Sequence, residues 1–293
     1  MSPRLTIGLP VRNGAETLEA AIDTLLAQTF RDFVLVISDN ESDDATAEIC
    51  ERAAARDPRV RYIRQARNIG NPGNFRFTLM QAQTPYFMWA AHDDFWAPTF
   101  AERNIALLDA DPSAVAAVSK VALFFPAGPD RVSQDTSPIL DDTPRERVRR
   151  YFEEVSDSSR YYSVFRTDVL KRSYPEDVQV FGFDWIILAL TLVEGRHLET
   201  PEVLLRRTDQ AFGHYFRTLL KLEKNPIDRM IPYRQLSLKL KSHLPPEVWR
   251  DIRLLILRYN LAQCASLLRY RVPALTPLVR AAGRARKAMS GKR

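Results

Sequence analysis

The stretch Leu5-Thr6-Ile7-Gly8-Leu9-Pro10-Val11-Arg12-Asn13-Gly14 is an apolar run that breaks into a cation and two turn-forming residues. A short run of this kind, bounded by turn signals, reads as a buried strand over Leu5–Val11. Leu18, Ile22, Leu25 and Leu26 then recur at helical spacing, and Phe33 to Ser38 is apolar and β-branched again. The same alternation continues with a helix from about Thr46 to Ala55, a strand at Val60 to Ile63, a helix around Phe75 to Ala82 and a strand at Tyr86 to Ala91. Strands alternating with helices predict an α/β fold with a mostly parallel sheet. In such sheets the ligand lies beyond the carboxyl ends of the strands. Those ends carry Pro10 to Asn13, Asp39 to Ser42, Arg67 to Gly70 and His92 to Asp94.

The last of these ends is acidic: Pro85-Tyr86-Phe87-Met88-Trp89-Ala90-Ala91-His92-Asp93-Asp94 closes an apolar strand on two adjacent carboxylates. Hard cations such as Mg²⁺ take few protein oxygens and leave positions for water or substrate phosphate. The pair therefore suits a cation with a nucleoside diphosphate, the plainer alternative being a solvated turn.

The second half is less regular. Ala114 to Phe125 reads as a strand, Pro126 to Thr143 as a loop, and Tyr161 to Phe165 as a further strand before a helical turn at Asp168 to Arg172. An irregular segment leads to a helix from about Asp184 to Val193, and from roughly Lys221 the pattern is helical, punctuated by prolines. The chain has 293 residues, 45% of them hydrophobic, which is ordinary for a globular protein. Its two cysteines, Cys50 and Cys264, offer neither a disulfide framework nor a paired metal spacing. The longest purely apolar stretches, such as Ile186 to Leu190, fall far short of the roughly 20 residues that span a bilayer. These features predict a cytoplasmic protein. The net charge of +6 is concentrated late: Arg280, Arg284, Arg286, Lys287, Lys292 and Arg293 have no acidic neighbour there, which fits an anionic partner or a solvated terminus.

Taken in order, Thr6 to Gly14, Gln28-Thr29-Phe30, Ser38-Asp39-Asn40-Glu41-Ser42-Asp43-Asp44-Ala45-Thr46, Arg67-Asn68-Ile69-Gly70 and His92-Asp93-Asp94 resemble the family 2 glycosyltransferases over about residues 4–215. The resemblance implies a GT-A fold, a Rossmann-like mixed sheet flanked by helices. It also implies inverting transfer from a nucleoside-diphosphate sugar, UDP favoured, with Mn or Mg as cofactor. The implied organisation is a catalytic domain over 1–220, with a nucleotide half at about 1–97 and an acceptor half at about 98–220. A basic helical region over 221–293 follows it.

Carried onto this chain, the resemblance places Pro10, Val11, Arg12 and Asn13 against the nucleotide, with Asn40, Arg67 and Asn68 in the neighbouring loops. Asp39 would accept a hydrogen bond from the N3–H of a uracil-like base, its alternative role being to cap the next helix. Asp93 and Asp94 would serve the metal and the donor ribose, although Ala91 stands where the family's acidic motif commonly has its first acid. His214 falls where a metal or pyrophosphate contact is common, and Arg206-Arg207 at the end of a late strand offers a phosphate-binding guanidinium in Arg207. Gly182-Phe183-Asp184-Trp185 resembles the segment that carries the catalytic base, and Asp184 is assigned that role. A carboxylate merely complementing the helix dipole is the alternative. The implied acceptor is a glycan, a lipid-linked sugar or a small molecule, in cell-surface polysaccharide or glycolipid synthesis. Peripheral membrane contact and a homo-oligomer stay open, and no nucleic acid is expected. A sugar nucleotidyltransferase is the poorer fit, because the first strand lacks a glycine-rich basic phosphate loop after it. A noncatalytic nucleotide-sugar binder is the other alternative.

Overall fold

The computed structural model describes residues 2–125, 130–208, 218–219, 222–223 and 225–271. The first strands follow the apolar runs: β1 Leu5–Val11, β2 Phe33–Asp39, β3 Val60–Arg64 and β4 Tyr86–Trp89. Between them lie α1 Leu18–Leu26, α2 Thr46–Arg56 and α3 Asn71–Met80. β1 pairs in parallel with β2 on one side and β4 on the other, and β2 with β3. Every residue of β1 is buried, as expected of a strand covered on both faces.

The chain continues through β5 Phe95–Trp96, α4 Phe100–Ala110, β6 Ala114–Phe124, β7 Arg131–Val132, α5 Pro144–Glu154, β8 Val164–Arg166 and α6 Thr167–Arg172. It then forms α7 Phe183–Glu194 and β9 Arg196–Thr208. The strands make one sheet in the order β3-β2-β1-β4-β8-β6-β9-β5, with β7 on β6. β8 runs antiparallel to β4 and β6, so the sheet is mixed, as the resemblance implies, with its parallel part in the first half of the chain. β1 is flanked by β2 and β4, so successive crossovers leave in opposite directions and open a crevice at the carboxyl ends of the strands.

Several elements depart from the sequence pattern: the stretch expected as a strand over Tyr161 to Phe165 instead opens in a 3-10 turn at Ser159–Tyr162 and pairs only as Val164–Arg166. α3 begins at Asn71 rather than near Phe75, because Gly70 takes φ +79° at the N-cap and Pro72, which needs no helical donor, is accommodated in the first turn. α5 replaces chain that carries little apolar periodicity. A Thr143/Glu146 capping box starts it, with Pro144 in its first turn. Its buried Arg147 donates Nε to the Leu192 carbonyl (2.7 Å) and Nη2 to that of Val193 (3.1 Å), so a cation occupies the C-terminal end of α7 where the carbonyls would otherwise be unpaired.

Three further helices follow: α8 Pro226–Met230, α9 Arg234–His243 and α10 Pro246–Arg271. Leu236 and Leu240 of α9 and Val248, Ile252 and Ile256 of α10 are buried in the same core as the sheet. Arg145 of α5 forms a two-pronged pair with Asp251 of α10 at 2.7 and 3.0 Å, and Tyr259 Oη donates to the Phe152 carbonyl at 2.8 Å. The 221–293 region thus contributes helices that dock on α5 and α7, while its basic end, residues 272–293, lies outside the described residues.

Candidate functional site

The loops beyond β1, β2 and β3 are laced together by their own polar groups. Asn40 N donates to the Val11 carbonyl at 2.8 Å. Asn13 takes φ +53° and receives the Asp43 N–H on its Oδ1 at 3.0 Å, while its own N–H donates to Ser42 Oγ at 2.9 Å. Asn40 is buried, donates Nδ2 to Asn68 Oδ1 at 2.9 Å and accepts the Ile69 N–H at 2.9 Å. Asp39 is fully buried: Oδ1 accepts the Ser42 N–H (2.9 Å) and Oδ2 the Tyr62 hydroxyl (3.1 Å). Arg12 and Arg67 are exposed at the rim, whereas Pro10 and Val11 are buried beneath it. The predicted donor residues of the first half therefore gather at one crevice. Within it, Asn13, Asp39, Asn40 and Asn68 hold the loops in shape, and the two arginines face solvent.

At the end of β4 the two acids separate in environment. Asp94 is 2% exposed; Arg207 Nε donates to its Oδ2 at 3.2 Å and the Thr208 N–H to its Oδ1 at 3.1 Å. Burial pushes Asp94 up to about 6 against the pull of Arg207, and neighbouring Asp93 pushes the same way as burial. The contact in turn helps keep Arg207 charged despite its burial. Asp93 is partly buried, and its carbonyl accepts the Thr208 hydroxyl at 3.0 Å. His92 turns away to Thr17, 3.0 Å from Nδ1 to the hydroxyl. Among the described residues no three of His, Cys, Asp and Glu cluster as metal ligands. The chemistry of this strand end, Asp93 beside an Asp94 that is committed to Arg207 and Thr208, suits a hard cation held by few protein oxygens, with the remaining positions left to diphosphate and water. His214 lies outside the described residues.

Arg207 joins this crevice to a cavity of about 570 Å³ lined by Asp157, Ser158, Asp184, Trp185, Tyr259 and Gln263, among others. Its Nη1 donates to the Asp157 carbonyl (3.2 Å) and Ser159 Oγ (3.1 Å), and its guanidinium lies 4.5 Å from the centre of the Tyr162 ring. Asp184 stands in the first turn of α7, after Gly182 at φ +78°. Ser158, itself at φ +58°, receives the Trp185 indole N–H at 3.1 Å and hydrogen-bonds Asp184 with its hydroxyl. Burial lifts the Asp184 carboxyl above its ordinary range, and the Ser158 hydroxyl, the local backbone N–H groups and Arg207 offset only part of that. Burial thus outweighs the helix terminus, as a proton acceptor requires.

Several lining residues carried no signal in the sequence. Asp157 and Ser158 sit in a polar stretch indistinguishable from a loop, and Tyr233, Tyr259 and Gln263 arrive from helices far along the chain. The Gln263 Oε1 is buried with no hydrogen-bond partner among the described residues. Among the described residues the non-glycine positions with positive φ are Asn13, Glu41 and Ser158, two in the donor loops and one in the cavity wall, so backbone strain collects at this site.

The sequence model of the family described as Glycosyl transferase family 2 matches residues 6–173. An uncharacterised glycosyltransferase of Rickettsia bellii (strain RML369-C) is 32% identical over 108 residues, 36% of this chain and 15% of that protein. The uncharacterised glycosyltransferase EpsJ of Bacillus subtilis (strain 168) is 32% identical over 104 residues, 35% of this chain and 30% of its own length. The chain thus spans a third or less of these curated relatives. In three dimensions it is similar to S. aureus TarS 1–349 in complex with UDP, with a TM-score of 0.61 at 16% identity, covering 92% of this chain and 91% of that one. It is also similar to the mannosyltransferase PcManGT of Pyrobaculum calidifontis in complex with GDP-Man and Mn²⁺, with a TM-score of 0.53 at 18% identity over 96% and 83% of the two chains. At these identities the likeness is one of fold, and that fold is GT-A.

Proposed function

The chain belongs to glycosyl transferase family 2, and from that premise we propose that it transfers a sugar, with inversion, from a nucleoside diphosphate to an acceptor hydroxyl. The observation that carries this reading is Asp184, a carboxylate raised by burial in a cavity joined to the strand-end crevice through Arg207. The nucleotide occupies the crevice of Pro10–Asn13, Asp39–Asn40 and Arg67–Asn68, with UDP favoured; Asp39, fully buried and holding the Ser42 N–H and the Tyr62 hydroxyl, supports the loop against which the base rests. The acceptor enters the cavity, whose wall includes Trp185, Tyr233 and Tyr259 and where Gln263 Oε1 offers an acceptor for one of its hydroxyls. The attacking hydroxyl oxygen bonds to the anomeric carbon and its proton passes to Asp184. The bond to the diphosphate breaks, and its electron pair leaves on an oxygen beside Arg207. A Mg²⁺ or Mn²⁺ ion held by Asp93, with Asp94 behind it, supplies Lewis-acid neutralisation of the diphosphate when bound.

Polysaccharide or glycolipid synthesis on the cytoplasmic side of a membrane is the setting this reading favours, with the 221–293 region on the acceptor side. Among the described residues no helix is long and apolar enough to cross a membrane.

Melting the protein with UDP or GDP, with and without Mn²⁺, tests the donor half. A nucleotide at 100 times its Kd stabilises by about 2.7 kcal/mol. The expected result is a shift that grows with Mn²⁺, and loss of the Mn²⁺ increment alone in Asp93→Asn. No shift with either nucleotide sinks the donor assignment.

A further inference from the structure

The outer face of α10 carries a row of leucines that the described residues leave exposed. Leu254, Leu257, Leu261 and Leu268 are 46–65% exposed, whereas Val248, Ile252, Ile256 and Leu267 of the same helix are buried. At 100° per residue the exposed leucines fall within one stripe about 60° wide, opposite the core-facing one. The patch extends beyond the helix: the Cys264 thiol donates to the Met230 carbonyl at 3.4 Å, which brings the 64%-exposed Met230 beside it. Single exposed leucines need no explanation, but a continuous apolar stripe on a seated helix marks a surface that is covered in use.

Its charge selects the occupant. Arg250, Arg253 and Arg258 are exposed on or beside the stripe. The acids of the helix, Glu247 and Asp251, sit at its beginning, and Asp251 is already paired with Arg145. Beyond Arg271 the sequence continues with six basic residues and no acid. A leucine stripe edged by arginines on an interfacial helix matches an anionic bilayer surface, with the leucines in the acyl boundary and the arginines at the headgroups. A second copy of the chain would bring like charges together.

We propose that α10 docks the protein on the surface of an anionic membrane through Leu254, Leu257 and Leu261, with Arg250, Arg253 and Arg258 at the headgroups. The test is co-sedimentation of the full chain with phosphatidylcholine vesicles and with vesicles containing about one third phosphatidylglycerol. Binding is expected to be at least about tenfold stronger to the anionic vesicles and to weaken as salt rises. The Leu254→Ser/Leu257→Ser/Leu261→Ser variant keeps every charge, the basic end of the chain included, and is expected to lose about tenfold or more of the partitioning. The Arg250→Gln/Arg253→Gln/Arg258→Gln variant, which keeps the basic end of the chain, is expected to lose part of the preference for anionic lipid, and an unchanged preference overturns the placing of these arginines at the headgroups. Melting curves on both variants establish that they are folded. Undiminished anionic binding by the serine variant overturns the proposal, because the charges alone then suffice. So does a wild-type dimer in light scattering that the serine variant dissociates, because a second copy then covers the face.

Discussion

Replacing Asp184 with asparagine lowers the rate of sugar transfer by about 10² to 10⁴ while donor affinity is retained, since general-base loss falls in that range. Asparagine keeps the volume and can still accept the Ser158 hydroxyl, so the change isolates proton uptake. The same variant should be more stable than the parent at neutral pH. Burial holds the folded-state pKa above its unfolded value, so ionising Asp184 as pH rises through that interval costs the folded state stability that an uncharged side chain keeps. The gain disappears at pH about 4, where the parent's carboxyl is protonated in the fold. The acid limb of the parent's rate profile lies above the ordinary carboxylate range for the same reason. Single-turnover transfer, nucleotide titration and melting against pH on one preparation check all three. A variant that transfers normally removes Asp184 from the chemistry, and one that melts lower at neutral pH makes it a helix cap.

Arg207→Met should cost about 3–5 kcal/mol of stability, the usual penalty for leaving a buried partner charge uncompensated. The partner is Asp94, 2% exposed and otherwise held by a single backbone N–H. Without the guanidinium its pKa rises beyond about 6. The penalty should therefore be greatest at alkaline pH and shrink as the pH falls and Asp94 takes up a proton. Denaturant unfolding at two pH values measures it. Arg207→Lys restores a charge but not the fork that holds Asp94, the Asp157 carbonyl and Ser159 together. It should recover part of the stability and little of the transfer rate. Equal stability of parent and Arg207→Met across pH would contradict the ion-pair account.

The first half of the chain was legible because its strands are apolar runs with turn residues at their carboxyl ends, and those ends gather at one crevice. β1 and β2 match the sequence expectation to within one residue. The acceptor half was harder. α5 has only Val148, Tyr151 and Phe152 as its buried apolar residues and buries a charged Arg147 beside them, so no stripe announces it. Thr143-Pro144-Arg145-Glu146 is nevertheless a capping-box signature and could have marked its start. Asp184 could be placed from its neighbours in sequence, whereas its companions could not. Ser158 reaches it across a loop, and Tyr233, Tyr259 and Gln263 come near it only because α9 and α10 fold back onto α5 and α7. Such long-range juxtaposition leaves no periodic trace.

The lacing of the donor loops has a kinetic consequence. Where Asn13, Asp39, Asn40 and Asn68 already hold the turns beyond β1, β2 and β3, an incoming nucleotide finds those three turns already ordered. Its association should follow a single exponential whose rate rises linearly with nucleotide concentration, without the plateau that a slow isomerisation imposes. With Arg12 and Arg67 exposed at the rim, that slope should fall with ionic strength, as the capture radius of two unscreened cations contracts around an otherwise rigid mouth.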